Sequence, residues 1–196
     1  MLTQVKAVNL TEKTMIETSN MVMAGDKYIT LLGTQVVIGD LAPNFKVVDK
    51  NFSPVELSDF KDKVVFISVV PSLDTAVCSL QTKRFNDEIA KKKGFIADNI
   101  AILSISNDLP FAQKRFCSTE GVDKINILSD SVWRDFGLKY GLVIKNMGIL
   151  TRSIFIIDKK GKLVYKELVA NISEQPNYEK SLAILLQAVE EKTNQP

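Results

Sequence analysis

Two residues carry most of the chemistry open to this chain, Cys78 and Cys117, and they are its 2 cysteines. An ionised thiol is a nucleophile and a reductant, whereas a thiol packed in a core behaves as a small apolar group. The sequence contains 0 histidines. A Ser-His-Asp triad, a Cys-His dyad and any His-ligated zinc or haem site are therefore excluded within the chain. Acid–base or nucleophilic work has to rest on other groups. Cys78 follows Pro71-Ser72-Leu73-Asp74-Thr75-Ala76-Val77, where an apolar run stops and a helical pattern begins. Unpaired amides and the positive end of the dipole favour an anion at a helix N-terminus, where thiol pKa values fall from about 8.5 into the range of roughly 3.5 to 7.5. Position alone leaves Cys78 open to both readings, reactive thiol or buried bystander.

The elements around the cysteines follow from periodicity. Val64 to Val70 is a near-continuous apolar and β-branched run, the pattern of a strand buried on both faces, and it ends at Pro71. Cys78 to Lys92 is read as a helix, with Leu80, Phe85 and Ile89 apolar and Lys91-Lys92-Lys93-Gly94 as a stop. Ile100 to Ser106 is a second buried strand, and Pro110 to Cys117 a helix whose start holds Asp108 and Pro110. Asn126 to Leu128 is a short strand and Val132 to Leu138 a short helix. Arg152 to Ile157 and Leu163 to Leu168 form a hairpin through Asp158-Lys159-Lys160-Gly161, before a final amphipathic helix from Tyr178 to Lys192. Upstream, Tyr28 to Leu32 and Gln35 to Ile38 read as a β-hairpin turning at Gly33-Thr34, and Phe45 to Val48 as a strand. The expected fold class is α/β, a mixed central sheet flanked by helices with an N-terminal hairpin.

Composition sets the bounds. A chain of 196 residues with 45% apolar and 24% charged residues, 9 Gly and 6 Pro is of globular type and long enough for a real core. Twenty-five Lys plus Arg against 23 Asp plus Glu leave a net charge of +2. That balance gives no general grip on nucleic acid or anionic membrane. Residues 1 to 23 lack apolar periodicity and the apolar run of a signal peptide, so they are read as an N-terminal tail, disordered or not native, with Met21 or Met23 as an alternative start; residues 24 to 196 form the one domain. No stretch is apolar enough for a membrane span. The expected compartment is the cytoplasm, where thiols stay reduced and two cysteines are not a disulfide scaffold.

The run Pro71, Thr75, Cys78 is the Pro-x-x-x-Thr-x-x-Cys signature of the peroxiredoxins, and its surroundings resemble the thiol peroxidase subfamily. Gly39-Asp40-x-Ala42-Pro43-x-Phe45 is similar to that superfamily's N-terminal motif. The segment Asp108 to Cys117 is similar to the one that carries the resolving cysteine of thiol peroxidases. Phe136-Gly137 with Tyr140-Gly141, Arg152 before a strand, and Glu174-Gln175-Pro176-Asn177-Tyr178 complete the match, over about residues 28 to 191. Several motifs in order carry more weight than any one. The resemblance implies a thioredoxin-like fold and a thiol-dependent peroxidase acting on hydrogen peroxide and alkyl hydroperoxides, with no cofactor or metal, in a homodimer. It implies Cys78 as the peroxidatic thiol, Cys117 as its resolver through an intramolecular disulfide, and a thioredoxin-type reductant. Thr75 is implied to hydrogen-bond thiolate and peroxide, Pro71 to shield the sulfur, and Arg152 to hold sulfur and peroxide oxygens together. A thiol of pKa 8.5 is about 3% ionised at pH 7, so complete ionisation yields only roughly thirtyfold. The remaining acceleration needs oriented donors such as Arg152, Thr75 and backbone amides.

Other residue jobs compete with these roles. Thr75 is also of the type that caps helices, Arg152 can be a strand-end charge, Cys117 a packing residue and Pro71 a strand terminator. A thiol–disulfide oxidoreductase is disfavoured because position 81, where a Cys-x-x-Cys partner belongs, is Gln. A binding module on the same fold is the non-enzymatic alternative. The stretch 91 to 99 is longer than the family pattern and is expected to extend a surface loop.

Overall fold

The protein is described by a computed structural model covering residues 15–91 and 99–190. In chain order the elements are β1 (Glu17–Ala24), β2 (Lys27–Leu32), β3 (Lys46–Val48), β4 (Pro54–Glu56), a 3-10 turn (Leu57–Phe60), β5 (Val64–Val69), α1 (Ala76–Ala90), β6 (Ile100–Ser106), α2 (Pro110–Glu120), β7 (Asn126–Ser129), α3 (Asp135–Lys139), β8 (Val143–Ile144), β9 (Ser153–Ile157), β10 (Leu163–Leu168) and α4 (Tyr178–Glu190). Seven strands form one sheet in the order β10-β9-β5-β6-β7-β3-β4. β5, β6 and β7 are parallel, and β9, β10, β3 and β4 join antiparallel.

Every residue of β5 and β6 is buried, as their unbroken apolar runs predict. Alternation sends Val65, Ile67 and Val69 into a core with Phe45, Phe136, Tyr140 and Phe155. Val64 and Phe66 face the opposite core, with Cys78, Phe85, Phe116, Tyr178 and Leu185. Helices α1, α2 and α4 thus cover one face of the sheet and α3 packs on the other. Because β9 runs antiparallel to β5, Ser153 pairs with Val69 at the end of β5. That register brings the residue before β9, Arg152, beside the loop from which α1 starts.

The N-terminal hairpin differs from the expectation. It pairs β1 with β2 across Gly25-Asp26, with Ala24 opposite Lys27, and β2 then pairs with β8. Gly33-Thr34 is not its turn. A Cβ on Gly33, whose φ is +108°, would stand 2.1 Å from the Leu138 carbonyl oxygen, and Thr34 N–H donates to that same carbonyl at 2.9 Å. The glycine therefore serves a close approach to α3. Residues 35–38 form no strand; Lys166 Nζ holds them by donating to Gln35 Oε1 at 2.7 Å and to the Val36 carbonyl at 3.0 Å.

Residues 17–23, expected in the tail, form most of β1, and Val22 is fully buried with Leu31 and Ile144. Residues 1–14 of that tail, the lengthened stretch at 92–98 and the end of the last helix at 191–192 lie outside the described residues.

Candidate active site

Helix α1 begins two residues before Cys78, so the cysteine amide lies in its first turn. Thr75 precedes the helix and caps it. Its Oγ1 accepts from Cys78 N–H at 3.3 Å and donates to the Ser72 carbonyl at 3.2 Å, while its carbonyl accepts from Ser79 N–H at 2.9 Å. In this arrangement the Thr75 hydroxyl is engaged with backbone rather than with sulfur. Pro71 is buried at the end of β5, and Val70 and Leu73 pack in the same cluster as Cys78.

Arg152 meets Cys78 directly. Its Nη2 donates to Cys78 Sγ at 3.3 Å, and both residues are almost completely buried, at 1% and 0% exposure. The guanidinium is fixed on its other edges. Nε and Nη2 donate to the Ile172 carbonyl at 3.0 and 2.9 Å, and Nη1 donates to Gln81 Oε1 at 2.6 Å. Gln81 is itself oriented, since its Nε2 donates to Ser68 Oγ on β5 at 2.8 Å. These four hydrogen bonds from a planar fork cannot be reproduced by a flexible ammonium without loss of this geometry.

Two of these partners escaped the sequence reading. Gln81 was visible only as the residue that spoils a Cys-x-x-Cys pair; its signal was a polar residue one turn beyond Cys78 on a helix face that is otherwise buried. The Ile172 carbonyl has no sequence signal, because any residue supplies one. It is held by β1: Ile172 N–H donates to the Met23 carbonyl at 3.0 Å and Met23 N–H to the Ala170 carbonyl at 2.8 Å. On the far side, Gln175 Nε2 donates to the Val77 carbonyl at 3.0 Å, and its Oε1 accepts from Tyr178 OH. That contact ties the start of α4 to the first turn of α1.

Cys117 lies in the last turn of α2, three residues further inside the helix than expected, because α2 runs on to Glu120 and ends at Gly121 with φ 66°. It is half-buried against the cluster that contains Cys78, and both thiols are free. Burial pushes the Cys117 thiol up from its ordinary pKa, with nearby Lys50 partly opposing the shift. Helix α2 starts at Pro110 as expected, but Leu109 is its N-cap and Asp108 lies one residue further out, before the first turn rather than in it.

The site is thus a helix-start cysteine under a fixed, buried guanidinium, with a second thiol on the neighbouring helix. The sequence pattern described as Redoxin matches residues 38–182. The chain is 46% identical over 167 residues to a thiol peroxidase of Oceanobacillus iheyensis, covering 85% of this chain and 98% of the relative. The chain belongs to the redoxins, within the thiol peroxidase family. A thiol peroxidase of Bacillus subtilis is 45% identical over 154 residues, covering 79% of this chain and 89% of that one. A crystal structure of a peroxiredoxin-like protein from Aquifex aeolicus superposes with a TM-score of 0.79 at 38% identity, over 87% of this chain and 98% of that chain. This redoxin therefore has the thioredoxin-like α/β fold expected of it, and it is a thiol-dependent peroxidase.

Proposed function

We propose that the chain reduces hydrogen peroxide and organic hydroperoxides at Cys78 and closes its cycle through Cys117 and a thioredoxin-type reductant. The observation that carries this reading is the Arg152 guanidinium on Cys78 Sγ. Burying a cation is costly unless an opposite charge accompanies it. The acceptors that hold Arg152 on its other edges, the Ile172 carbonyl and the Gln81 amide, are neutral. Cys78 is the partner that can supply the charge, as thiolate.

In the first step the thiolate sulfur attacks the terminal oxygen of the hydroperoxide and the O–O bond breaks. The sulfur becomes a sulfenic acid, and the leaving alkoxide or hydroxide takes up a proton and departs as alcohol or water. Negative charge moves from sulfur to the leaving oxygen, and a planar fork can follow it by addressing both atoms. Thr75 serves this step by fixing the Cys78 amide, and its hydroxyl proton reaches the peroxide only by leaving the Ser72 carbonyl. Pro71 and its buried neighbours keep water from the sulfur.

In the second step the Cys117 thiol condenses with the sulfenic acid, forming the disulfide and releasing water. A dithiol reductant then restores both thiols by exchange and becomes a disulfide itself. The raised pKa of Cys117 suits a thiol that stays protonated until the sulfenic acid has formed. A cytoplasmic setting and a homodimer belong to the same reading; sedimentation of the purified protein tests the latter.

The deciding experiment is peroxide consumption by the purified protein, with and without thioredoxin and its reductase, for the parent and Cys117→Ser. The parent should turn over with the coupled reductant. The variant should oxidise once at Cys78 and then stop. Full steady turnover by Cys117→Ser would remove Cys117 from the mechanism, and absence of Cys78 oxidation in the parent would remove the proposal.

A further inference from the structure

Asp108 joins the two segments that carry the cysteines. Its carboxylate accepts from Ser72 Oγ at 2.7 Å and from Leu73 N–H at 2.7 Å, both in the loop that leads to Cys78. The same carboxylate accepts from Ser106 Oγ at the end of β6, at 2.8 Å. Asp108 also sits just before α2, the helix of Cys117, and its own carbonyl accepts from Ser129 Oγ of β7 at 2.6 Å. The aspartate is therefore fixed to two strand ends of the sheet while its carboxylate grips the Cys78 loop.

The grip is passed on. Ser72, held by Asp108, offers its carbonyl to both the amide and the hydroxyl of Thr75, at 3.2 Å each. Thr75 in turn accepts from the Cys78 amide. A chain of hydrogen bonds thus runs from Asp108 through Ser72 and Thr75 to the backbone of Cys78. The disulfide requires the opposite of this order. Cys78 is fully buried on Arg152 and Cys117 is a separate free thiol. To join Cys117, Cys78 Sγ has to give up the hydrogen bond from Arg152, and on this inference the first turn of α1 moves with it to reach the Cα separation of about 7 Å or less that a disulfide needs. Each bond to Asp108 resists that movement.

We propose that Asp108 is a positioning residue that sets the balance between the two half-reactions: it holds the Cys78 loop in the arrangement that meets peroxide and restrains the unwinding that delivers Cys78 to Cys117. The inference rests on Cys78 and Cys117 being the redox pair. A strong restraint favours the first oxidation but leaves the sulfenic acid exposed for longer to a second peroxide, which oxidises it to sulfinic acid and leaves as alcohol or water.

The test follows the two steps separately in the full chain. Asp108→Asn keeps the size but turns one acceptor into a donor that faces Leu73 N–H or Ser72 OH. Ser72→Ala removes one link and leaves Asp108 in place. Single-turnover oxidation of Cys78, the rate of disulfide formation and the sulfinic acid fraction at excess peroxide are measured by quenching and mass spectrometry. Expected for both variants are a first oxidation slower by roughly tenfold, the scale of one lost hydrogen bond to a charged group, a faster disulfide step, and less sulfinic acid. Parental rates in both variants overturn the proposal. So does a parallel fall of both rates with unchanged sulfinic acid fraction, the mark of a merely structural role. If the parent itself forms no Cys78–Cys117 bond, the underlying reading fails together with the inference, and that outcome is told apart by the parent alone.

Discussion

At the scale of single residues, the proposed chemistry of Cys78 turns on the position of one guanidinium. Arg152 was legible as a charge before a strand, but the reason it points at sulfur is spread over Gln81, Ser68 and the Ile172 carbonyl. Four contacts from three directions fix the plane of the fork, so charge alone should not replace it. Arg152→Lys keeps the positive charge but cannot donate at once to sulfur, Gln81 and Ile172. Single-turnover oxidation of Cys78 by peroxide should slow by roughly 10²-fold, as when one preorganised donor is removed from a site of developing charge. Arg152→Ala should be slower still. Oxidation of Arg152→Lys at the parental rate would show that the fork is not used in the transition state.

At the scale of elements, β1 links the edge of the molecule to its centre. Met23 brackets the segment 170–172 with two backbone hydrogen bonds, and Ile172 holds Arg152. A chain that starts at Ala24 lacks that bracket and the buried Val22, so it should react with peroxide more slowly and melt at a lower temperature than the full chain. Equal rates and melting temperatures would mean that the segment 170–172 keeps its place without β1. The strand was illegible in the sequence for a physical reason. Its register slips between Thr18 and Val22, where Asn20 takes φ 62°, and a bulge breaks the alternation by which a half-buried strand is recognised. Buried strands such as β5 and β6 were plain because both faces are apolar, and the ends of α1 and α2 were displaced by only a few residues. β8 and β4, two and three residues long, are set by tertiary pairing and leave no pattern of their own. Helix α3 adds a dependence on pH. The Asp130 carboxylate accepts from Phe136 N–H at 3.0 Å and Gly137 N–H at 2.8 Å, and burial raises its pKa from 3.8 to about 6. The folded state then binds more protons than the unfolded one between about pH 4 and pH 6, so this group's contribution to stability grows as pH falls through that window. Compared with Asp130→Asn, the parent should gain up to about 3 kcal/mol on going from pH 7 to pH 4. Denaturant unfolding of both proteins at a series of pH values measures the difference; a constant difference would mean that Asp130 does not titrate in the window.

At the scale of the whole molecule, a buried and fully paired pair of central strands supports the two helices that carry the cysteines. β5 and β6 pair along their whole shared length, from Val64 with Ile100 to Val69 with Ile105, and are buried throughout. The cysteines, in contrast, sit at helix ends, where hydrogen bonds are fewest and opening costs least. At Cys78 the amide is held by the Thr75 hydroxyl, and at Cys117 the carbonyl accepts from the amides of Gly121 and Val122, the latter at 3.3 Å. Both sets lie at the end of an element and outside the hydrogen bonds that pair the strands. Oxidation by one equivalent of peroxide should therefore lower amide protection in two places only, the first turn of α1 with the loop 71–75, and the last turn of α2 through Val122. Protection in β5, β6 and β9 should stay at the level of the reduced protein. Hydrogen exchange followed by mass spectrometry on both states tests this at the resolution of single peptides. Identical protection around Cys78 and Cys117 would show that the disulfide forms within the intact helices, and loss of protection across the central strands would show that the sheet takes part in the change.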